Sequence, residues 1–197
     1  MPPGPRLAVR RPESKVVTAM RDQVRDRLER ARRFHATGLE DYAAGRFLKA
    51  AGSFQLACEF DPKNETYRKL HEDAQVKAQA AHLEQLLGLA KKADENMQEA
   101  ACIHYLKQAI PLEPSDGAVY FRVARWMRDK DNDPRGALQL LRKAVERKPD
   151  KLEYRMALAD LYATLKMELN AKREYQAILD RDTKHEGAKK AMAALKV

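Results

Sequence analysis

Small and large apolar residues recur along the chain with a fixed spacing. Each set has a small residue, an apolar residue four positions later, another three positions after that, and a proline or threonine five positions further on. The four sets are Ala50, Phe54, Ala57 and Pro62; Cys102, Leu106, Ala109 and Pro114; Ala137, Leu141, Ala144 and Pro149; and Ala171, Tyr175, Ile178 and Thr183. Offsets of four and seven lie on one helical face, and proline stops a helix. The pattern predicts four short amphipathic helices.

A second helix is predicted upstream of each of these helices. It carries a small residue 12 or 13 positions before the first residue of the set, and these small residues are Gly38, Ala90, Ala124 and Ala159. Small side chains at a contact reduce the distance between two packed helices. The sequence therefore predicts four antiparallel helical hairpins.

This arrangement resembles the tetratricopeptide repeat family, whose 34-residue helix-turn-helix unit has small residues and aromatics in this order. The resemblance covers about two thirds of the chain, and Arg155 departs from it where an aromatic residue is usual. It implies an all-α, right-handed α-solenoid of about four hairpins and a bacterial-type adaptor or co-chaperone-like protein. A generic helical bundle with coincidental spacing is the alternative. The matching repeats are 31–64, 83–116, 117–151 and 152–185.

One helix is expected to be unusually long. Pro62 and Pro114 are 52 residues apart, which is 18 more than one repeat. Eighteen residues make about five whole turns at ~3.6 residues per turn, so they preserve the direction of the helical face. We predict one helix over 65–95, in which 65–82 form an extension within an array that spans 14–185. A break into two helices near 80–83 is the alternative.

The two ends of the chain are expected to differ from the repeats. Residues 1–13 are rich in proline and arginine and predict a disordered tail. Residues 186–197 predict a capping helix, in which Ala188, Met192 and Leu195 cover the last hairpin.

The net charge of +9 is concentrated near the start of the chain, where the first 34 residues hold ten basic and four acidic side chains. Such a segment can attract nucleic acid or another acidic surface. However, Asp22, Asp26 and Glu29 lie three or four positions from arginines, which is typical of a solvated helix with internal ion pairs. Nucleic-acid binding is therefore the less favoured interpretation.

The sequence offers no residues for catalysis. Its five histidines are scattered, its two cysteines have no zinc-binding spacing, and it has neither a phosphate-binding loop nor a nucleophile elbow. No apolar run approaches the ~18 residues of a membrane span. We expect a non-enzymatic cytoplasmic protein with no metal and no cofactor.

We predict a protein-interaction module that binds its partner in the concave groove of the array. In such arrays the first helix of each hairpin lines the groove, and Leu39, Leu87, Phe121 and Met156 are expected to face solvent there. The alternative is that some of them pack against the long helix or the N-terminal segment. The expected partner is an extended or helical peptide with apolar and acidic residues. The predicted binding residues are His35, Leu39, Tyr42, Leu87, Lys91, Phe121, Arg122, Arg125 and Met156, with Asp94, Arg128 and Asp160 beside them.

Two alternative functions stay open at this stage. The first is that the chain is a co-chaperone fragment of a larger J-domain protein, although the chain itself has no His-Pro-Asp signature. It can also bind an acidic surface through the basic first segment. Self-association through the long helix is a further possibility that the sequence does not decide.

Overall fold

The computed structural model describes residues 15–195, which contain nine α-helices, one short 3-10 helix and no strand. The expected all-α class is confirmed. The predicted tail, 1–13, lies outside the described residues. The chain divides into an N-terminal unit, Met1–Ala80, and a C-terminal unit, Ala81–Val197. The repeat boundaries and the handedness of the array stay predictions.

The N-terminal unit contains an antiparallel hairpin of α1 (Lys15–Ala43) and α2 (Phe47–Phe60). Gly45, which has a φ of 72°, lies in the turn between them and relieves the steric cost of a left-handed backbone. The third helix, α3 (Glu65–Glu95), begins where the Asn64 side chain accepts hydrogen bonds from the amides of Thr66 and Tyr67.

The predicted long helix is confirmed, because α3 has the expected bounds and continues through 80–83 without a break. Those four positions, Ala-Ala-His-Leu, include no residue that favours a turn. The alternative of two separate helices is therefore wrong.

The core of the N-terminal unit forms around Phe54, which is fully buried and packs with the buried residues Ala50, Ala51 and Ala74. Gly38 of α1 faces the Phe54 ring so closely that a Cβ added to Gly38 would lie 2.5 Å from a ring carbon. The small residue predicted at position 38 is thus what lets α1 approach α2.

The C-terminal unit begins within α3 and continues through six more α-helices. In this unit α5 packs against α6, α6 against α7, α7 against α8, and α8 against α9. The helices are α4 (Glu99–Ala109), α5 (Gly117–Asp129), α6 (Pro134–Arg147), α7 (Leu152–Thr164), α8 (Glu168–Leu179) and α9 (Glu186–Ala193), with the 3-10 helix at Ile110–Leu112.

The repeated apolar positions form the core of the C-terminal unit. Leu141 and Tyr175, the large residues in the middle of the third and fourth sets, are each about 2% exposed, and the apolar residues before and after them in each set are buried as well. This burial explains the spacing of four and three, because those positions share the inward face of α6 and of α8.

Arg155, which departs from the family pattern, makes a specific polar contact. Its Nη1 lies 2.7 Å from Oε2 of Glu174 on α8, and its Nε donates a hydrogen bond to the Pro149 carbonyl at 3.2 Å. Both side chains of the ion pair are mostly shielded from solvent. An ion pair between α7 and α8 therefore stands where an aromatic contact is usual.

The predicted cap is a short helix, α9, whose Ala188 is fully buried. Met192 and Leu195 pack against the same core, so the expected capping contacts are confirmed, although the helix ends at Ala193. Residues 196–197 lie outside the described part of the chain.

The imidazole of His185 caps this helix, because its Nδ1 accepts a hydrogen bond from the Ala188 amide at 3.1 Å. Replacing His185 with Ala is expected to lower the free energy of unfolding by about 1 kcal/mol, since it leaves a first-turn amide without its partner. Urea denaturation of both proteins measures the difference. Asn at this position keeps a capping acceptor, and an equal loss for Asn and Ala would contradict this role.

Removing the hydroxyl group of either of two buried tyrosines is expected to change the stability in opposite directions. Tyr120 is fully buried and its hydroxyl has no hydrogen-bond partner, whereas the Tyr175 hydroxyl donates to Oδ1 of Asp160 at 2.6 Å. Tyr120→Phe should keep or raise the stability, because it removes an unsatisfied polar group, and Tyr175→Phe should lower it by about 1 kcal/mol. Thermal denaturation of the two variants tests this order, and the reverse order would refute it.

Candidate functional site

Three of the predicted binding residues belong to the N-terminal unit, and only one is exposed. Leu39 has 43% of its surface exposed. The His35 ring centre lies 4.8 Å from that of Tyr67, and the Tyr42 hydroxyl contacts the carboxylate of Asp73 and the ammonium of Lys77. His35 and Tyr42 therefore contribute to the packing of α1 against α3.

The C-terminal unit contains a groove formed by α5, α7 and the start of α9, with a volume of about 480 Å³. We call it the α5–α7 groove. Helical spacing of three and four positions aligns its residues along facing sides of α5 and α7. They are Phe121, Arg125, Arg128, Glu153, Met156, Ala157, Asp160 and His185.

The expectation that Phe121 faces solvent is wrong. Only 7% of its surface is exposed, and its ring stacks on Tyr154 with a centroid distance of 4.6 Å. Phe121 therefore belongs to the contact between α5 and α7, and it lines the groove with the small part of its surface that stays exposed. Met156 is half-buried and packs against the same core, so its apolar character also has a structural cause.

Arg125 is the exposed cation of the groove. Its guanidinium carbon lies 5.9 Å from the centre of the Phe121 ring, a distance at which cations and aromatic rings attract each other. Arg128 already has an acidic partner, because its Nε lies 2.6 Å from Oδ1 of Asp129 and its Nη2 lies 3.1 Å from Oδ2 of the same residue. The hydrogen bond from Arg128 lowers the pKa of Asp129.

The predicted residues Leu87, Lys91 and Arg122 line a second, smaller depression of about 190 Å³ between α3 and α5. The two terminal nitrogens of Arg122 donate hydrogen bonds to the two carboxylate oxygens of Asp94, at 2.6 Å and 3.1 Å. This hydrogen bonding lowers the pKa of Asp94. Leu87 is half-buried against the core, so the expectation that it is solvent-facing is also wrong. Lys91 is exposed and lies 3.9 Å from Glu95.

Trp126 and His185 were not predicted from the sequence. Trp126 is the single tryptophan of the chain and is half-buried beside Arg122 and Arg125 on α5. Its indole nitrogen donates to Oδ1 of Asp131 at 3.0 Å. The only sequence feature that could have indicated Trp126 was its position next to Arg125. The repeated apolar pattern does not include it. His185 is one of the five scattered histidines, and no motif in the sequence placed it in the groove.

Within residues 15–195, no group of three His, Cys, Asp or Glu side chains could hold a metal ion. Cys58 and Cys102 are unbridged, and burial raises the pKa of both thiols. No helix among these residues is both long and apolar enough to cross a membrane.

No protein-family model matches this sequence, and a comparison with curated proteins finds no relative. Solved structures do match. The tetratricopeptide repeat domain of P58(IPK) is 23% identical with a TM-score of 0.52, and the match covers 92% of this chain and 48% of that one. The TPR2AB domain of yeast Sti1, solved as a pHSP90 complex, is 17% identical with a TM-score of 0.51 and coverages of 90% and 71%.

These likenesses, together with the helical hairpins, show that the chain has the tetratricopeptide repeat fold, an all-α solenoid type. The chain spans about half the length of the P58(IPK) domain. The identities are low, so the comparison extends to the fold and not to the partner.

Proposed function

We propose that the α5–α7 groove binds a peptide segment of a partner protein and that the chain acts as a non-enzymatic adaptor. The observation that carries this proposal is the exposed Arg125 beside the half-buried Met156 in a groove of about 480 Å³. The likeness to the Sti1 domain, which was solved as a pHSP90 complex, supports an interaction role. A bacterial-type cytoplasmic adaptor or co-chaperone is the finer form of the same proposal.

The charges of the groove indicate which ligand it prefers. Arg125 contacts an aromatic face, whereas Arg128 already has Asp129 as its partner. One oxygen of Asp160 accepts a hydrogen bond from Tyr175. A carboxylate of the ligand would therefore pair with Arg125, and an adjacent apolar side chain would pack on Met156. We infer a peptide that carries at least one acidic residue next to an apolar one.

Selection of peptides from a random display library against the full chain tests this proposal. The selected peptides should combine acidic and apolar residues. A representative peptide should bind the Arg125→Glu variant at least about tenfold more weakly, a typical effect at a binding hot spot. Phe121 is unsuitable for this test, because its replacement would disturb the packing of α5 against α7.

A matched control is Arg135→Glu, which makes the same charge reversal at an exposed position of α6 that does not line the groove. Its affinity for the selected peptide should stay within about twofold of the parent value. Equal binding by the parent and the Arg125→Glu variant would refute the proposed site. Selected peptides without acidic residues would refute the proposed ligand class.

A further inference from the structure

The first half of α1 extends beyond the hairpin that it forms with α2. Hydrogen bonds join Arg27 of α1 to the carbonyls of Glu59 and Phe60 at the end of α2. Residues 15–26 precede this contact, and every one of them except the half-buried Asp22 is exposed. This segment is therefore a helix of about three turns with little cover from the described chain.

A narrow apolar stripe runs along the exposed segment and continues to Leu28. Val17, Met20, Val24 and Leu28 follow at spacings of three, four and four, and 47%, 61%, 58% and 37% of their surfaces are exposed. The next member of the series, Ala31, is buried with Ala57 and Tyr67. The stripe is therefore the N-terminal continuation of the face of α1 that packs against α2 and α3.

The composition of this segment indicates that the stripe is covered in use. Four of its residues, Val16, Val17, Thr18 and Val24, are β-branched and have low helix propensity. Most of the stability of such a helix comes from packing its apolar face, because the hydrogen bonds of a short helix alone are marginal in water. An exposed stripe of large apolar side chains on this helix is typical of an interaction surface.

Arginines lie on both sides of the stripe. Successive residues of a helix are about 100° apart around its axis. Arg25 and Arg32 therefore lie on one side of Val24, and Arg27 and Arg30 lie on the other side. Each arginine is about 60° to 120° from Val24 around the axis. All four side chains are exposed. Both flanks of the stripe are therefore basic.

The contacts of Arg27 and Arg30, which form the second flank, are with uncharged groups, so no acidic side chain among residues 15–195 neutralises them there. Arg27 donates to two backbone carbonyls, and the guanidinium of Arg30 lies 5.9 Å from the centre of the Phe60 ring. These contacts hold the two side chains beside the stripe without cancelling their charge.

The acidic residues near the stripe lie on the opposite side of α1. Asp22, Asp26 and Glu29 are about 140° to 160° from Val24 around the helix, so they face away from the stripe. Asp22 pairs with Arg25 at 2.8 Å, with both groups largely solvated, and such a pair is easily exchanged.

We propose that this stripe, formed by Val17, Met20, Val24 and Leu28, binds an amphipathic α-helix of another protein whose apolar seam is flanked by Glu or Asp. Apolar side chains of the partner pack along the stripe, and its carboxylates pair with the arginines on both flanks. This surface belongs to the N-terminal unit and is separate from the α5–α7 groove.

Two other occupants fit the same stripe less well. A second copy of the chain would place arginines against arginines, and like charges at the flanks of a helix pair oppose pairing. A lipid surface favours a wide apolar face with aromatic side chains. The stripe spans only about 80° at 100° per residue and includes no aromatic residue.

A labelled synthetic peptide of about four heptads, with Leu at a and d and Glu at e and g, is the probe for this surface. Repulsion between its glutamates opposes self-pairing at neutral pH. Fluorescence anisotropy with the full chain should show binding that weakens as NaCl is raised, because ion pairs at exposed flanks are screened. The same peptide with Lys in place of Glu should bind at least about tenfold more weakly.

Matched variants assign the binding to the stripe. Val24→Asp should weaken binding of the Glu peptide at least about tenfold, whereas Val76→Asp on α3 should change it less than about twofold. Val76 is the appropriate control because it is also a helical valine, with 64% of its surface exposed. Arg25→Glu combined with Arg32→Glu should weaken binding of the Glu peptide and strengthen binding of the Lys peptide. Circular dichroism checks that each variant keeps its helicity.

Four results would overturn this proposal. They are failure of the Glu peptide to bind, equal binding of the Lys peptide, binding that Val24→Asp leaves intact, and unchanged peptide preference after reversal of the two arginines. Sedimentation of the full chain with phosphatidylserine vesicles, abolished by Val24→Asp, would assign the stripe to lipid instead. A dimer detected by light scattering and abolished by Val24→Asp would assign it to a second copy.

Discussion

Replacing Phe54 with Ala is expected to lower the stability of the N-terminal unit by about 3–5 kcal/mol, the usual cost of removing a fully buried aromatic side chain. The Phe54 ring is completely buried between α1, α2 and α3, and its centre lies 6.0 Å from that of His35 and 6.4 Å from that of Tyr42. Its removal leaves a cavity that the two helices of the hairpin cannot fill without moving.

Hydrogen exchange measured by mass spectrometry gives the location as well as the size of this effect. Amides of α1 and α2 should exchange faster in the Phe54→Ala variant, and amides of α7 and α8 should keep their rates, because helical repeats contact their neighbours. Leu56→Ala, at a position on α2 that is 38% exposed, is the control and should cost less than about 1 kcal/mol. Equal losses for the two variants would show that Phe54 is not the centre of this core.

The helices and their buried faces could be predicted because their signals are local. The spacing of Ala137, Leu141 and Ala144 places three residues on one side of one helix, whatever the rest of the chain does. The length of α3 followed in the same way from a whole number of helical turns. Each of these inferences needed only the geometry of a single helix.

The candidate site was harder to predict because it depends on which side chain of another helix covers each position. The sequence places Phe121 on a face of α5, but it does not show that Tyr154, 33 positions later, stacks on that face. The pairing of Arg155 with Glu174 is a similar case, since the sequence showed only the departure from the family pattern. The exposure of Val24 likewise depends on where α2 ends relative to α1.

Gly38→Ala is expected to lower the free energy of unfolding by about 1–3 kcal/mol, the cost of overpacking a well-filled core. The new Cβ would lie 2.5 Å from one carbon of the Phe54 ring and 2.6 Å from another, so the ring or the helix must move. This penalty exceeds the gain of about 0.5–1 kcal/mol that Ala normally brings to a helix interior. Chemical denaturation of the parent and the variant measures the difference.

Gly52→Ala should have the opposite sign, which makes it the matched control. Gly52 also lies within a helix of the N-terminal unit, and a Cβ there meets no other atom within 4 Å, so the variant should be more stable by about 0.5–1 kcal/mol. In a Phe54→Ala background the clash at Gly38 disappears, and Gly38→Ala should then stabilise the protein as Gly52→Ala does. If Gly38→Ala costs the same with and without the Phe54 ring, contact with that ring is not the reason for glycine at position 38.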